Sequence, residues 1–190
     1  MLALRAKVTA ANDGMWDRVF GIETAGSDCT PTAYRVLFKL FRAIAPGPRD
    51  RIVDFGCGKG RVMCLAARYP VEAVMGVELN PAAAAVARTN LEGLRGRKTR
   101  QWAVVTGSAA DFDCAGGTVF YFYNPFGGEL FASVVDNVRR AAANSKEAVR
   151  VVYVNPVCRD VLDGSGWLLP ADVLHHDSAG KPAALIYRAR

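Results

Sequence analysis

Three glycines alternating between a strand and a helix constrain this chain more than any other feature. The segment Val53-Asp54-Phe55-Gly56-Cys57-Gly58-Lys59-Gly60-Arg61 passes from a short apolar run into a helical one. Glycines there let the backbone turn sharply and approach a ligand closely, with N–H groups at the helix start offered to it. The dinucleotide fingerprint requires G-x-G-x-x-G, whereas the spacing here is G-x-G-x-G. A P-loop requires G-K-[ST], and Lys59 is followed by Gly60. The two common phosphate binders therefore fit badly.

The rest of the chain repeats the strand–helix alternation. Strands are expected at 51–55, 73–78, 102–106, 118–123 and 149–154, and helices at 61–68, 81–91 and 130–143. The run at 149–154 is almost wholly apolar, as a strand covered on both faces should be. Two further strands, 168–175 and 183–188, flank Ser178-Ala179-Gly180-Lys181-Pro182, a hairpin signal. The pattern predicts an α/β fold: a doubly wound, mostly parallel seven-stranded sheet with an antiparallel C-terminal hairpin strand. Ahead of it, residues 1–28 read as irregular, with an apolar group at Met15, Trp16, Val19 and Phe20. Thr30-Pro31 then looks like an N-cap and first helical position. The helix that follows carries Tyr34, Leu37, Phe38 and Phe41 on one face and stops at Pro46-Gly47-Pro48. Residues 1–45 thus form a helical lead-in and 46–190 the sheet domain.

Composition sets the outer bounds. A chain of 190 residues, 51% hydrophobic and 22% charged, makes about one domain and needs neither metal nor disulfides for a core. No apolar run approaches the ~18 residues of a membrane span, and Arg5 and Lys7 interrupt the first apolar stretch. Five scattered cysteines (29, 57, 64, 114 and 158) form no C-x-x-C pair, which argues for reduced thiols, a cytoplasmic location and no zinc. The net charge is +6, with one dense cluster at Arg95, Arg97, Lys98 and Arg100. Only Trp102 lies near it, so a solvated loop is favoured over a nucleic-acid contact.

Glu78, the last residue of the second strand, adds specificity. An acid there can accept both hydroxyls of a ribose, although alone it reads equally as a helix N-terminal charge. At these residues the chain resembles the class I S-adenosylmethionine-dependent methyltransferases. Asp54, Gly56, Gly58 and Gly60 match that family's first motif, and Glu78 matches its ribose-binding acid. The resemblance covers roughly 46–190 and implies S-adenosyl-L-methionine as cofactor. It implies that Asp54 and the turn through Cys57 hold the methionine part, that Glu78 holds the ribose, and that Leu79 and Asn80 flank the adenine. Ser108, followed by Ala109, stands where the family often has an acid facing the adenine amine; Asp111 reads as a helix or turn cap instead.

Asn124-Pro125-Phe126-Gly127, at the end of the fourth strand, resembles with one proline fewer the [ND]-P-P-[YF] motif of methyltransferases acting on amino groups. An attacking amine must present its lone pair in line, so acceptors for its N–H bonds help. The Asn124 oxygen and Pro125 carbonyl supply two, with Phe126 beside the nucleophile; the alternative is a turn with Phe126 in the core. Residues 16–34 resemble the lead-in of bacterial methyltransferases without an assigned substrate. Thr32 and Tyr34 then cap the cofactor or line the acceptor pocket, unless that helix merely covers a sheet edge. Asn155-Pro156 ends the next strand and either lines the same pocket or simply stops the strand. Together these readings predict N-methylation of a protein lysine or small-molecule amine, without metal or membrane. The alternatives are an RNA or DNA methyltransferase and a non-catalytic S-adenosylmethionine-binding partner protein.

Overall fold

The fold is that of a computed structural model described over residues 13–22, 31–175 and 182–190. Five parallel strands, β1 (Arg51–Phe55), β2 (Ala73–Glu78), β3 (Gln101–Thr106), β4 (Val119–Tyr123) and β5 (Arg150–Val154), are joined by β6 (Leu168–His175) and β7 (Pro182–Ala189). The order is β3-β2-β1-β4-β5-β7-β6, with β7 antiparallel to both neighbours. The chain reverses its direction of winding between β1 and β4. In open α/β sheets the crevice at such a switch point, outside the carboxyl ends of the strands, is where ligands bind.

Helices cover both faces. On one side α1 (Asp13–Phe20), α2 (Tyr34–Ile44), α3 (Arg61–Ala66) and α4 (Pro81–Glu92) share a core with Ile52, Val74, Tyr121 and Val152. On the other, Phe131, Val134 and Val138 of α5 (Gly128–Ala143) and Leu162 of α6 (Arg159–Asp163) pack on Phe55, Phe120, Phe122 and Tyr153. The alternation of β4, Val-Phe-Tyr-Phe-Tyr, sends phenylalanines to the second core and tyrosines to the first. Each fully buried aromatic contributes roughly 1.5–3 kcal/mol. Small residues bring α3 and α4 together, since a Cβ on Gly60 would lie 3.1 Å from that of Ala87.

The strands stand within a residue or two of their expected places. Three differences carry physical content. Residues 13–20, expected as irregular, are a helix that buries Trp16 and Phe20 and leaves Met15 and Val19 largely exposed. α2 starts at Tyr34 rather than Pro31, with Ala33 in the cap position and no side-chain cap bond; Thr30, like the hairpin residues 178–181 and Cys29, lies outside the described residues. The short α6 was not anticipated, being five residues long.

The basic cluster lies between α4 and β3, at the amino-terminal edge of the sheet. Arg97 stands 5.8 Å over the Trp102 ring and donates to the Leu91 carbonyl at 2.7 Å. The Arg95 amide donates to the Phe20 carbonyl at 3.1 Å, fastening α1 to this loop. No helix among the described residues is long and apolar enough to cross a membrane.

Candidate active site

A cavity of about 540 Å³ opens at the carboxyl ends of β1, β2 and β4. Gly56, Cys57 and Gly58 of the glycine turn line its floor, while Gly60, expected there too, stands outside the lining and packs on Ala87; all three glycines have left-handed φ of 52–80°. Four of the turn's amides are engaged within the protein rather than offered to the cavity. Gly56 and Cys57 donate to the Val77 carbonyl at 2.9 and 3.1 Å, and Gly60 to that of Cys57 at 2.8 Å. The Gly58 amide donates to Glu78 Oε2 at 2.8 Å. The turn is laced to β2, and what it presents is bare backbone surface. A Cβ on Gly56 would lie 2.7 Å from the Cβ of Pro125, so this glycine lets the turn touch the Asn124-Pro125 corner.

Glu78 is buried and lines the cavity. Its second oxygen accepts the Asn80 amide at 2.9 Å, so the two bonds fix the carboxylate plane. A carboxylate oxygen with one backbone donor keeps a further lone pair for a ligand hydroxyl. Asp54 is 3% exposed, and among the described residues its Oδ2 has no partner. Burial, then the nearby Glu78 charge, pushes its pKa up to about 8. A buried, unpaired carboxyl oxygen in the wall of a cavity is a group awaiting a donor.

The other expected site residues divide. Leu79, Ser108, Ala109, Thr32, Asn124, Pro125 and Phe126 line the cavity with the turn. Leu79 is 73% exposed, an apolar side chain on the open rim. Asn80 does not line it: its carboxamide caps α4, accepting from the amides of Ala82 and Ala83 at 2.9 and 3.3 Å. Ser108 caps the short turn Ala109–Asp111 by accepting from the Ala110 amide at 3.2 Å, so the cap expected of Asp111 belongs to Ser108. Tyr34 is fully buried away from the cavity, its hydroxyl donating to Asp17 Oδ1 at 2.8 Å. Its phenol is tied into the core between α1 and α2, and burial with the Asp17 carboxylate raises its pKa. Thr32 Oγ1 and Tyr121 Oη share a 2.7 Å hydrogen bond.

Asn124 adopts a left-handed φ of 37° directly after β4. Its Oδ1 accepts from the Tyr153 hydroxyl at 3.2 Å, and that hydroxyl in turn accepts the Cys158 amide at 3.2 Å. Phe126 combines both readings made of it: it lines the cavity and packs edge-on to Phe122 at 6.4 Å. The reading of the sequence missed Tyr121, Tyr123, Lys59 and Leu130 in the lining. The two tyrosines were accessible from the β4 alternation, because buried hydroxyls at one face of a strand end need partners.

A family model described as a methyltransferase domain matches residues 52–144. The precorrin-6y C5,15-methyltransferase of Geobacter metallireducens is 17% identical, with 92% of this chain and 95% of that one covered and a TM-score of 0.66. An RNA methyltransferase of Salinibacter ruber, solved with S-adenosyl-L-homocysteine, is 19% identical over 84% and 92% of the two chains, with a TM-score of 0.57. The domain match and the shared fold together support a class I S-adenosylmethionine-dependent methyltransferase.

The methyltransferase also shares its fold with a precorrin 8w decarboxylase of Methanobacterium thermoautotrophicum, 20% identical over 89% and 97% of the chains at a TM-score of 0.64. At such identities the likeness carries the fold and not the acceptor. No curated protein matches the sequence. S-adenosylmethionine is the cofactor consistent with the methyltransferase domain match, and the cavity suits it: the unpaired Asp54 oxygen suits a cationic or N–H group, the fixed Glu78 carboxylate a diol, and the bare turn a closely approaching chain. Among the described residues no group of three or more His, Cys, Asp or Glu stands where it could hold a metal.

Proposed function

We propose that the methyltransferase methylates an amine nitrogen, of a protein lysine or a small molecule, that is neutral when it reacts. Bound S-adenosylmethionine supplies an electrophilic methyl on a sulfonium. Glu78 holds the ribose hydroxyls, Asp54 and the glycine turn the methionine part, and Leu79 and Ala109 the adenine. Asn124 Oδ1 and the Pro125 carbonyl accept N–H bonds of the acceptor and aim its lone pair, with Phe126 as the apolar wall. Alignment of this kind supplies several kcal/mol of a displacement barrier.

The observation that carries the reading is the Asn124 carboxamide. A left-handed backbone and the Tyr153 hydroxyl hold it at the cavity that Asp54 and Glu78 line. The distribution of charge supports neutrality: the cavity's carboxylates, Asp54 and Glu78, stand on β1 and β2 and its cations are Lys59 and Arg61, while Thr32 and the β4 end contribute hydroxyls, an amide and aromatic rings. Without a carboxylate beside it, an ammonium gains nothing there, and desolvation favours the free amine.

The test is Asn124→Ala. Affinity for S-adenosyl-L-homocysteine by calorimetry stays within about threefold of wild type, while tritium transfer from labelled S-adenosylmethionine into cell-extract protein and small molecules falls at least about a hundredfold. Full transfer by the variant, or wild-type label confined to nucleic acid, overturns the reading.

A further inference from the structure

We infer that Asn155 is a second acceptor-binding residue, which with Asn124 takes an uncharged hydrogen-bonding group carried next to the acceptor's reactive nitrogen. The inference rests on the amine-methylation reading and names what else the acceptor must carry.

β4 and β5 run parallel and in register up to the pair Tyr123 and Val154. Asn124 and Asn155 each follow by one residue, so they stand side by side on strands about 4.8 Å apart. Both line the cavity. Both adopt left-handed backbone, with φ of 37° and 47°, and both precede proline, which disfavours helical-type backbone in the residue before it. The other non-glycine residue with positive φ among those described is Ala45, which closes α2 as its C-cap. Asn155 has no such duty, because the N-cap of α6 is Cys158. Strained backbone kept at two adjacent strand ends, both facing one cavity, points to a site.

The two carboxamides differ in their commitments. That of Asn124 is fixed by Tyr153. The Asn155 main chain is fastened on both sides, its amide donating to the Ala183 carbonyl at 3.0 Å and its carbonyl accepting from Val157 at 2.9 Å. Its side chain makes no hydrogen bond among the described residues. A rigid main chain therefore holds an unengaged donor and acceptor at the cavity mouth. An ordinary strand stop accounts for Pro156 but not for a left-handed asparagine, since the Ala183 bond already closes the strand. A carboxamide offers one acceptor and two donors without net charge, so its complement is a neutral polar group.

Asn155→Gly tests this, because glycine keeps the left-handed backbone at no steric cost and removes only the carboxamide. Asn155→Asp keeps the shape and removes the amide donor. The expected result is S-adenosyl-L-homocysteine affinity within about twofold of wild type in both, and a melting temperature for Asn155→Gly at or above wild type. Tritium transfer into cell-extract protein and small molecules falls at least about tenfold in both. Transfer within about twofold of wild type in Asn155→Gly overturns the inference. So does a joint loss of cofactor-product affinity, which would move Asn155 to the cofactor half of the cavity. If the glycine variant does not fold, the aspartate variant decides by the same thresholds. A wild-type protein that moves no label overturns the proposed function and this inference together, whereas normal transfer by the Asn155 variants overturns this inference alone.

Discussion

The Arg61 guanidinium lies 2.7 Å from the Asp17 carboxylate across 44 residues of sequence, and both side chains are buried. Arg61 is the first residue of α3, directly after the glycine turn, and lines the cavity. It also covers the Tyr34 ring at 4.9 Å, while the Tyr34 hydroxyl holds the other Asp17 oxygen. One charge cluster thus ties α1 and α2 to the start of the helix that follows the cofactor turn.

Replacing Asp17 by Ala deprives a buried guanidinium of its carboxylate. Loss of one member of a buried pair costs about 3 kcal/mol or more, because the remaining charge stays desolvated. The urea midpoint of Asp17→Ala is expected to fall accordingly at unchanged slope. An unchanged midpoint would mean that Arg61 finds equivalent solvation elsewhere.

Glu78 performs two tasks. Its oxygens hold the Gly58 and Asn80 amides at 2.8 and 2.9 Å, and they face the cavity. Glu78→Ala leaves two backbone donors without their acceptor, at roughly 1–3 kcal/mol in stability. It is expected to weaken S-adenosyl-L-homocysteine binding by about 1–3 kcal/mol as well. Glu78→Gln, which keeps one oxygen, should lie between wild type and Ala in both calorimetry and thermal melts. Unchanged affinity in the Ala variant removes Glu78 from the ribose.

Asp54 sets a pH dependence of definite sign. Its folded pKa is raised to about 8 against an ordinary value of 3.8. Between those values the folded state binds more protons than the unfolded chain, so stability falls as pH rises through that window. Asp54→Asn should flatten the slope and be more stable at pH 8 by on the order of 5 kcal/mol. Binding of a cationic cofactor favours the carboxylate, so S-adenosylmethionine affinity should rise by up to about tenfold per pH unit approaching pH 8. Calorimetry at pH 6.5 and 8.5 on wild type and Asp54→Asn checks both signs; identical pH profiles would detach Asp54 from the ligand.

Much of this arrangement is written locally. The glycine spacing, Glu78 one strand later and the apolar run at 149–154 are contiguous patterns, and each maps onto its element. What sequence reading lost depends on distant partners. Tyr34 sits on a helical apolar face either way; only Asp17, folded against it from α1, decides that its hydroxyl turns into the core. Residues 13–20 are too short for periodicity to declare a helix, and its stability comes from Trp16 and Phe20 meeting α2. Gly76 looks incidental in sequence, yet a Cβ there would lie 2.3 Å from Met63 Sδ and 2.9 Å from Cys57. Asn80 was legible: an asparagine before Pro81 at a helix start is a cap signature, and it competed with the adenine role suggested by resemblance.

The contact between Gly56 and Pro125 makes the cofactor turn and the acceptor corner share a single volume. Grafting an acceptor loop from another methyltransferase into positions 124–127 would press directly on the methionine side, and enlarging position 56 would push back on the corner. Reprogramming what this enzyme methylates therefore calls for libraries that vary both positions at once, with glycine at 56 wherever a ring is kept at 125.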